Sequence, residues 1–153
     1  MKTLESSLER RLDETFARVA RVPATEMELR SDYARYLCVL VSGYAEAAVS
    51  AIATRHCSQR SSPSVARFAE RSLRRVQNLK AEKLLQLVGA FDPAWRAQLA
   101  EYVEGARREA LDSVVDLKNH VAHGGSVGVT YAQAKEYYNC VREVVQYVAR
   151  LMS

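Results

Sequence analysis

The chain has 153 residues, 48% of them apolar and 26% charged, with a formal net charge of +4. That length suits one domain, and the composition excludes a chain disordered throughout. Six glycines and three prolines, against about 11 and 8 at average usage, exclude collagen-like and loop-rich β architectures and point to long helices.

Leu4, Leu8, Leu12, Phe16 and Val19 recur at helical spacing with charges between them, which predicts an amphipathic first helix over about residues 3–21, ending before Pro23. Thr25 and Glu28 have the spacing of a capping box, so a second helix is expected to start there and run to about His56. Its face of Tyr33, Leu37, Leu40, Val41, Tyr44, Ala48, Ala51 and Ile52 is broad enough to place it at the centre of a core. Ser42, Gly43, Glu46 and Ser50 interrupt the apolar stretch from Tyr36 to Ile52. No unbroken run of the roughly 18 apolar residues of a membrane span is present.

Cys57 to Ser64 is rich in turn formers and reads as a loop, with Ser62 as N-cap and Pro63 as the first residue of the next helix. Between Ala66 and Lys83 stand Arg67, Arg71, Arg74, Arg75, Lys80 and Lys83 against only Glu70 and Glu82. This segment equals the whole net charge. It is either an electrostatic footprint for nucleic acid or a solvated face. It is expected to form one or two short helices, the second stopping near Gly89. Asp92 and Pro93 open another helix. From Trp95 the apolar positions Leu99, Val103, Ala106, Ala110, Val114, Leu117 and Val121 keep a 3/4 spacing, which predicts one long helix breaking at Gly124 and Gly125. Residues 126–129 read as a turn. Thr130 caps a final helix with Tyr137, Val141, Val144, Val148 and Leu151 facing inward. No strand pattern is found. The expected fold is all-α, a single domain over residues 1–153, built as an antiparallel bundle of about four long helices with shorter ones inserted and the first helix as an extension.

The N-terminal residues are charged where a signal peptide requires an apolar stretch. Cys38, Cys57 and Cys140 are odd in number and widely separated, unlike a disulfide framework. The expectation is a cytoplasmic protein that does not engage a membrane.

Chemistry concentrates in Leu117-Lys118-Asn119-His120-Val121-Ala122-His123-Gly124-Gly125, which holds two of the three histidines. Asn119 and His123 are four apart and share a helix face. Imidazole titrates near neutral pH and is the usual general acid or base. The plainer alternative is that His123 only caps a helix and Asn119 is solvated. His120 and His123 are three apart, but no cysteine or close carboxylate completes a tetrahedral metal set, and no metal or other cofactor is expected. His56 and Cys57 are adjacent, so they point about 100° apart on a helix; a packed thiol beside an exposed imidazole is expected rather than a nucleophile pair. The glycines from 124 to 128 lack the preceding strand and following Lys-Ser/Thr of a phosphate loop. Among Tyr131, Tyr137, Tyr138 and Tyr147, some belong to the core, and one left exposed could stack a base.

Lys118-Asn119-x-x-x-His123-Gly124, closing a long helix ahead of a last helix, resembles the signature of HEPN domains. It is most similar to the RiboL-PSP-HEPN group, whose pattern is Arg-Asn-x-x-Ala-His-Gly. Gln77-Asn78-Leu79-Lys80-Ala81-Glu82-Lys83-Leu84-Leu85 and Gly43-Tyr44-Ala45-Glu46 also resemble that group. The similarity covers about residues 33–151.

The resemblance implies a helical bundle that dimerises, and a metal-independent endoribonuclease of the kind found in toxin–antitoxin and phage-defence systems. Lys118 stands where the family has Arg, Asn119 matches the polar residue and His123 the histidine. Lysine is cationic but lacks the planar fork that grips a phosphate with two hydrogen bonds. The roles implied are base or acid for His123, transition-state cation for Lys118, orientation for Asn119 and support from Glu46 on the core helix. Arg71, Arg74, Arg75 and Lys80 would hold RNA phosphates. The implied partners are RNA, a second copy of the chain, and an antitoxin or other protein. A catalytically silent module that binds RNA or a protein is the alternative that Lys118 favours.

Overall fold

A computed structural model describes residues 2–124 and 128–153. Among them there are seven helices and no strand: α1 (Leu4–Ala20), α2 (Met27–Arg60), α3 (Pro63–Leu73), α4 (Ala81–Phe91), α5 (Pro93–Val103), α6 (Ala106–Ala122) and α7 (Tyr131–Leu151). The all-α bundle expected from the sequence is present. Its four long members are α1, α2, α6 and α7, and α3 to α5 are the short insertions.

The 34-residue α2 is the axis of the molecule, with α1, α3, α6 and α7 packed around it. Leu37, Cys38, Val41, Ala45, Ala48, Val49, Ile52 and Ala53 are buried along it. One 18-residue window of α2 has a mean hydropathy of 1.6, and by length and composition it could cross a membrane. Burial against four neighbouring helices accounts for that apolarity in the bundle. The helix α1 is integral to the core: Leu12, Phe16 and Val19 are buried with it. Its polar groups also satisfy buried hydroxyls of the other long helices. Tyr44 donates to Glu9 Oε1 at 2.7 Å, and Tyr138 donates to Asp13 Oδ1 at 2.9 Å and to the Glu9 carbonyl at 3.2 Å. Burial and these carboxylates push both phenols above their ordinary titration range.

Several boundaries differ from those the sequence predicts, each for a local reason. Residues 23–26 form a turn closed by the Glu26 N–H on the Pro23 carbonyl at 3.0 Å. Thr25 falls inside that turn, and α2 starts at Met27 with Glu26 as an N-cap that makes no side-chain bond. At its other end α2 continues past His56 to Arg60, because exposed polar residues do not by themselves stop a helix; the stop comes at Ser61, whose backbone is extended, and Ser62 follows, held extended ahead of Pro63. The helix α4 passes through Gly89 to Phe91. A Cβ at Gly89 would meet Arg96 Cδ at 2.8 Å, so this glycine admits the close approach of α5. The long helix predicted from Trp95 to Val121 is two helices. Gly105, at φ +90°, breaks it, and the 3/4 apolar spacing persists because α5 and α6 both face the same core. Of the two adjacent tyrosines in α7, Tyr138 is fully buried, stacked on Phe16 at 5.0 Å, while Tyr137 is only half-buried. The Thr130 cap is present, and Gln133 returns a bond to the Thr130 N–H, closing a capping box. The expected break at Gly125, the first half of the turn over 126–129 and the centre of the 124–128 glycine stretch lie outside the described residues.

Candidate functional site

The sequence cluster lies at the C-terminal end of α6. This helix buries Ala110, Leu111, Val114, Val115 and Leu117 against the core. Lys118 follows directly on Leu117, so it leaves the helix at the edge of the inward face. Its ammonium donates to Glu46 Oε1 on α2 at 2.8 Å, and the side chains are 25% and 18% exposed. The same carboxylate oxygen accepts the backbone N–H of Asn78 at 3.2 Å. Asn78 has φ +52°, a left-handed backbone that asparagine tolerates better than most residues. Glu46 therefore ties together the central helix, the motif helix and the loop between α3 and α4. A partly buried charge needs such a partner to offset its lost hydration.

Asn119 is half-buried, and its carbonyl accepts the His123 N–H at 3.1 Å. His123 is the C-cap, and Gly124 at φ +74° turns the chain away with its N–H on the Val121 carbonyl. The His123 side chain is exposed and has no hydrogen-bond partner among the described residues. Capping by its backbone leaves the imidazole unspent. The structure thus brings Glu46 and Lys118 into contact and places Asn119 and His123 on another side of α6. Among the described residues no contact joins the Lys118 ammonium to the His123 imidazole.

The four candidate phosphate-binding cations divide into two kinds. Arg74 is paired with Glu70 at 2.9 Å and Lys80 with Asp116 at 2.8 Å. Asp116 raises the Lys80 ammonium above its ordinary value, chiefly by its hydrogen bond. Arg71 and Arg75 are exposed and have no acidic partner among the described residues. They stand at the end of α3 and the start of the loop that reaches Glu46 through Asn78.

Two acids on α6 were given no role in the sequence reading. Asp112 accepts the Ala81 N–H at 2.9 Å and so caps α4 from a neighbouring helix, a task the Lys80 N-cap cannot perform. Asp116 holds Lys80. Their i, i+4 spacing was visible in the sequence, but the arrival of α4 beside them was not.

The third histidine is structural. His56 is half-buried, bonds the Met152 carbonyl through Nδ1 at 2.9 Å, and stands edge-on to Phe91 and Trp95. The exposed imidazole expected there is instead half-buried and bonded, because α4, α5 and the end of α7 converge on that turn of α2. Cys38 is buried and its thiol is pushed up to about 12 by desolvation; burial also raises Cys57 and Cys140. None of the three has the lowered pKa of a reactive thiolate. Among the described residues no three His, Cys, Asp or Glu side chains form a metal-holding group.

The sequence profile of the RiboL-PSP-HEPN family matches residues 6–153. The chain belongs to the RiboL-PSP-HEPN family. The match covers nearly the whole chain, and it takes in α1 as well as the motif helix. No curated protein and no solved structure gives a significant match. Membership in a HEPN family points to nuclease or other RNA-related function.

Proposed function

We propose that this HEPN chain is a metal-independent endoribonuclease, working as a cytoplasmic homodimer in a toxin–antitoxin or phage-defence setting. The reading is supported above all by Lys118, held at 2.8 Å by Glu46 at the base of a motif whose His123 side chain stays exposed at the helix end. RNA carries its own nucleophile. His123 removes the 2′-hydroxyl proton, O2′ bonds to phosphorus, and the P–O5′ bond breaks. A second acid protonates the departing 5′-oxygen; in a dimer this is His123 of the second copy. The products are a 2′,3′-cyclic phosphate and a 5′-hydroxyl. Lys118 stabilises the charge that builds on the phosphorane oxygens. Asn119 orients the phosphate or His123, and Arg71, Arg74, Arg75 and Lys80 hold flanking phosphates.

A second reading is a silent module that binds RNA or a protein without cutting. It is favoured by lysine in the arginine position, its charge already matched by Glu46. The deciding experiment is RNA cleavage by the purified protein in excess EDTA, beside His123→Ala, with product ends identified by mass spectrometry. Cyclic-phosphate ends that disappear in the variant support the nuclease. No cleavage of varied RNAs by a folded dimer supports the silent module, and gain of cleavage in Lys118→Arg would then identify a lapsed nuclease.

A further inference from the structure

The C-terminal half of α6 also lines a pocket with α7. His120 is two residues from Lys118, about 200° around the helix, and so points to the other side. There Asp116 and His120 line an open pocket of about 340 Å³ with Ser113, and Gln133 and Tyr137 come from α7. A concave site of this size with a few convergent polar groups is the usual form of a small-ligand pocket.

The unspent hydrogen-bonding capacity of these groups is specific. His120 Nδ1 lies 3.0 Å from the Asp116 carbonyl. A carbonyl only accepts, so Nδ1 carries hydrogen, and Nε2 is left without a partner among the described residues. Asp116 Oδ1 is taken by Lys80, which leaves Oδ2. Gln133 Oε1 is taken by the Thr130 N–H, which leaves its amide hydrogens as donors. The tyrosines add an independent observation. Tyr138 stacks on Phe16, Tyr131 stands edge-on to Phe16, and Tyr147 stacks on Tyr102. Of the four tyrosines on α7, Tyr137 alone has no ring or cation partner among the described residues, and it lines this pocket.

We propose that this pocket is a nucleobase subsite, which reads one base of a bound RNA. An aromatic face with separate donors and acceptors matches the stacking surface and edge of a base. A phosphate has no π-face to stack and no donor to offer the Asp116 carboxylate. The proposal rests on the reading of this chain as an RNA-acting protein, but not on its cutting.

The test is titration of the isotope-labelled protein with the four nucleoside 3′-monophosphates and with ribose 5-phosphate, followed by NMR. The expected result is saturable shifts at the His120 ring and at Ser113 and Tyr137, for nucleotides but not for ribose 5-phosphate, with one base preferred. Ser113→Leu, which fills the pocket, and His120→Ala should each weaken nucleotide binding by roughly tenfold or more, the size of one lost stacked base. Equal shifts from ribose 5-phosphate, or shifts centred away from these residues, would overturn the subsite. Base-selective binding in a protein that cuts no RNA would defeat the nuclease and leave the subsite standing. Cleavage whose base preference is unaltered in folded Ser113→Leu would do the reverse.

Discussion

Glu46→Ala is the most informative perturbation, because one carboxylate oxygen holds two groups from different parts of the chain. The substitution removes the acceptor of the Lys118 ammonium at 2.8 Å and of the Asn78 N–H at 3.2 Å. Exposed ion pairs contribute about 0–1 kcal/mol, whereas removing one partner of a fully buried pair costs about 3–5 kcal/mol. With side chains 25% and 18% exposed, this pair lies between those limits. Loss of the tether on left-handed Asn78 adds to it. A total of roughly 2–3 kcal/mol is expected, which for a chain of this size lowers Tm by roughly 4–12 °C. Glu46→Gln keeps an acceptor for Asn78 and loses only the charge, so about half of that loss is expected. Urea unfolding followed by far-UV circular dichroism measures both, and Lys118→Met closes a double-mutant cycle with an expected coupling of about 1–2 kcal/mol. Because the pair is partly buried, the coupling should change little with added salt. A Glu46→Ala protein within about 0.5 kcal/mol of the parent, or a coupling near zero, would show that the pair neither anchors Lys118 nor organises the loop.

Three further outcomes follow from particular residues. Gly105→Ala should destabilise by about 1–3 kcal/mol in the same urea assay, since a Cβ there meets nothing within 4 Å and the whole cost is the backbone at φ +90°; an unchanged midpoint would mean the break between α5 and α6 does not need that conformation. Cys38, raised to about 12 from its usual 9.0, should resist iodoacetamide at pH 8 in the native state, with roughly a thousand-fold less thiolate than an ordinary thiol. The sign for stability is the same: the unfolded chain ionises this thiol first, so stability falls as pH rises above about 9, and native-state alkylation of Cys38 at the rate seen in urea would refute its burial. If Arg71 and Arg75 contact RNA phosphates, replacing both with Ala should lower the slope of log affinity against log salt by about 1.4, measured by fluorescence anisotropy; an unchanged slope would remove them from the RNA path.

Much of the site was legible in one dimension. The spacing of Asn119 and His123, the glycine that ends their helix and the cationic residue before them are local features, and helix geometry alone places them at one exposed terminus. Resemblance offered Glu46 only as a general support for the motif, and its partnership with Lys118 appears only when α2 and α6 are packed together. Asp112 and Asp116 were overlooked as functional positions because their roles belong to α4, whose N-terminus arrives beside them only in the fold. Tyr137 and Tyr138 could not be ranked by periodicity, since either continues an apolar stripe. Contact with Phe16 and with the acids of α1 selects Tyr138 for the core and leaves Tyr137 facing the pocket.

The sequence by itself determined that the chain is helical, which stretches carry the apolar faces, where prolines and caps begin helices, and which short motif marks the HEPN family. Those properties depend on interactions within a few turns of chain. The tertiary structure decided which charges are paired, which histidine is packed and bonded, and which polar groups remain free around a pocket. Those depend on segments far apart in the chain, 72 positions between Lys118 and Glu46 and 96 between His56 and Met152, and the free energy of such contacts is set by burial that only the assembled bundle creates.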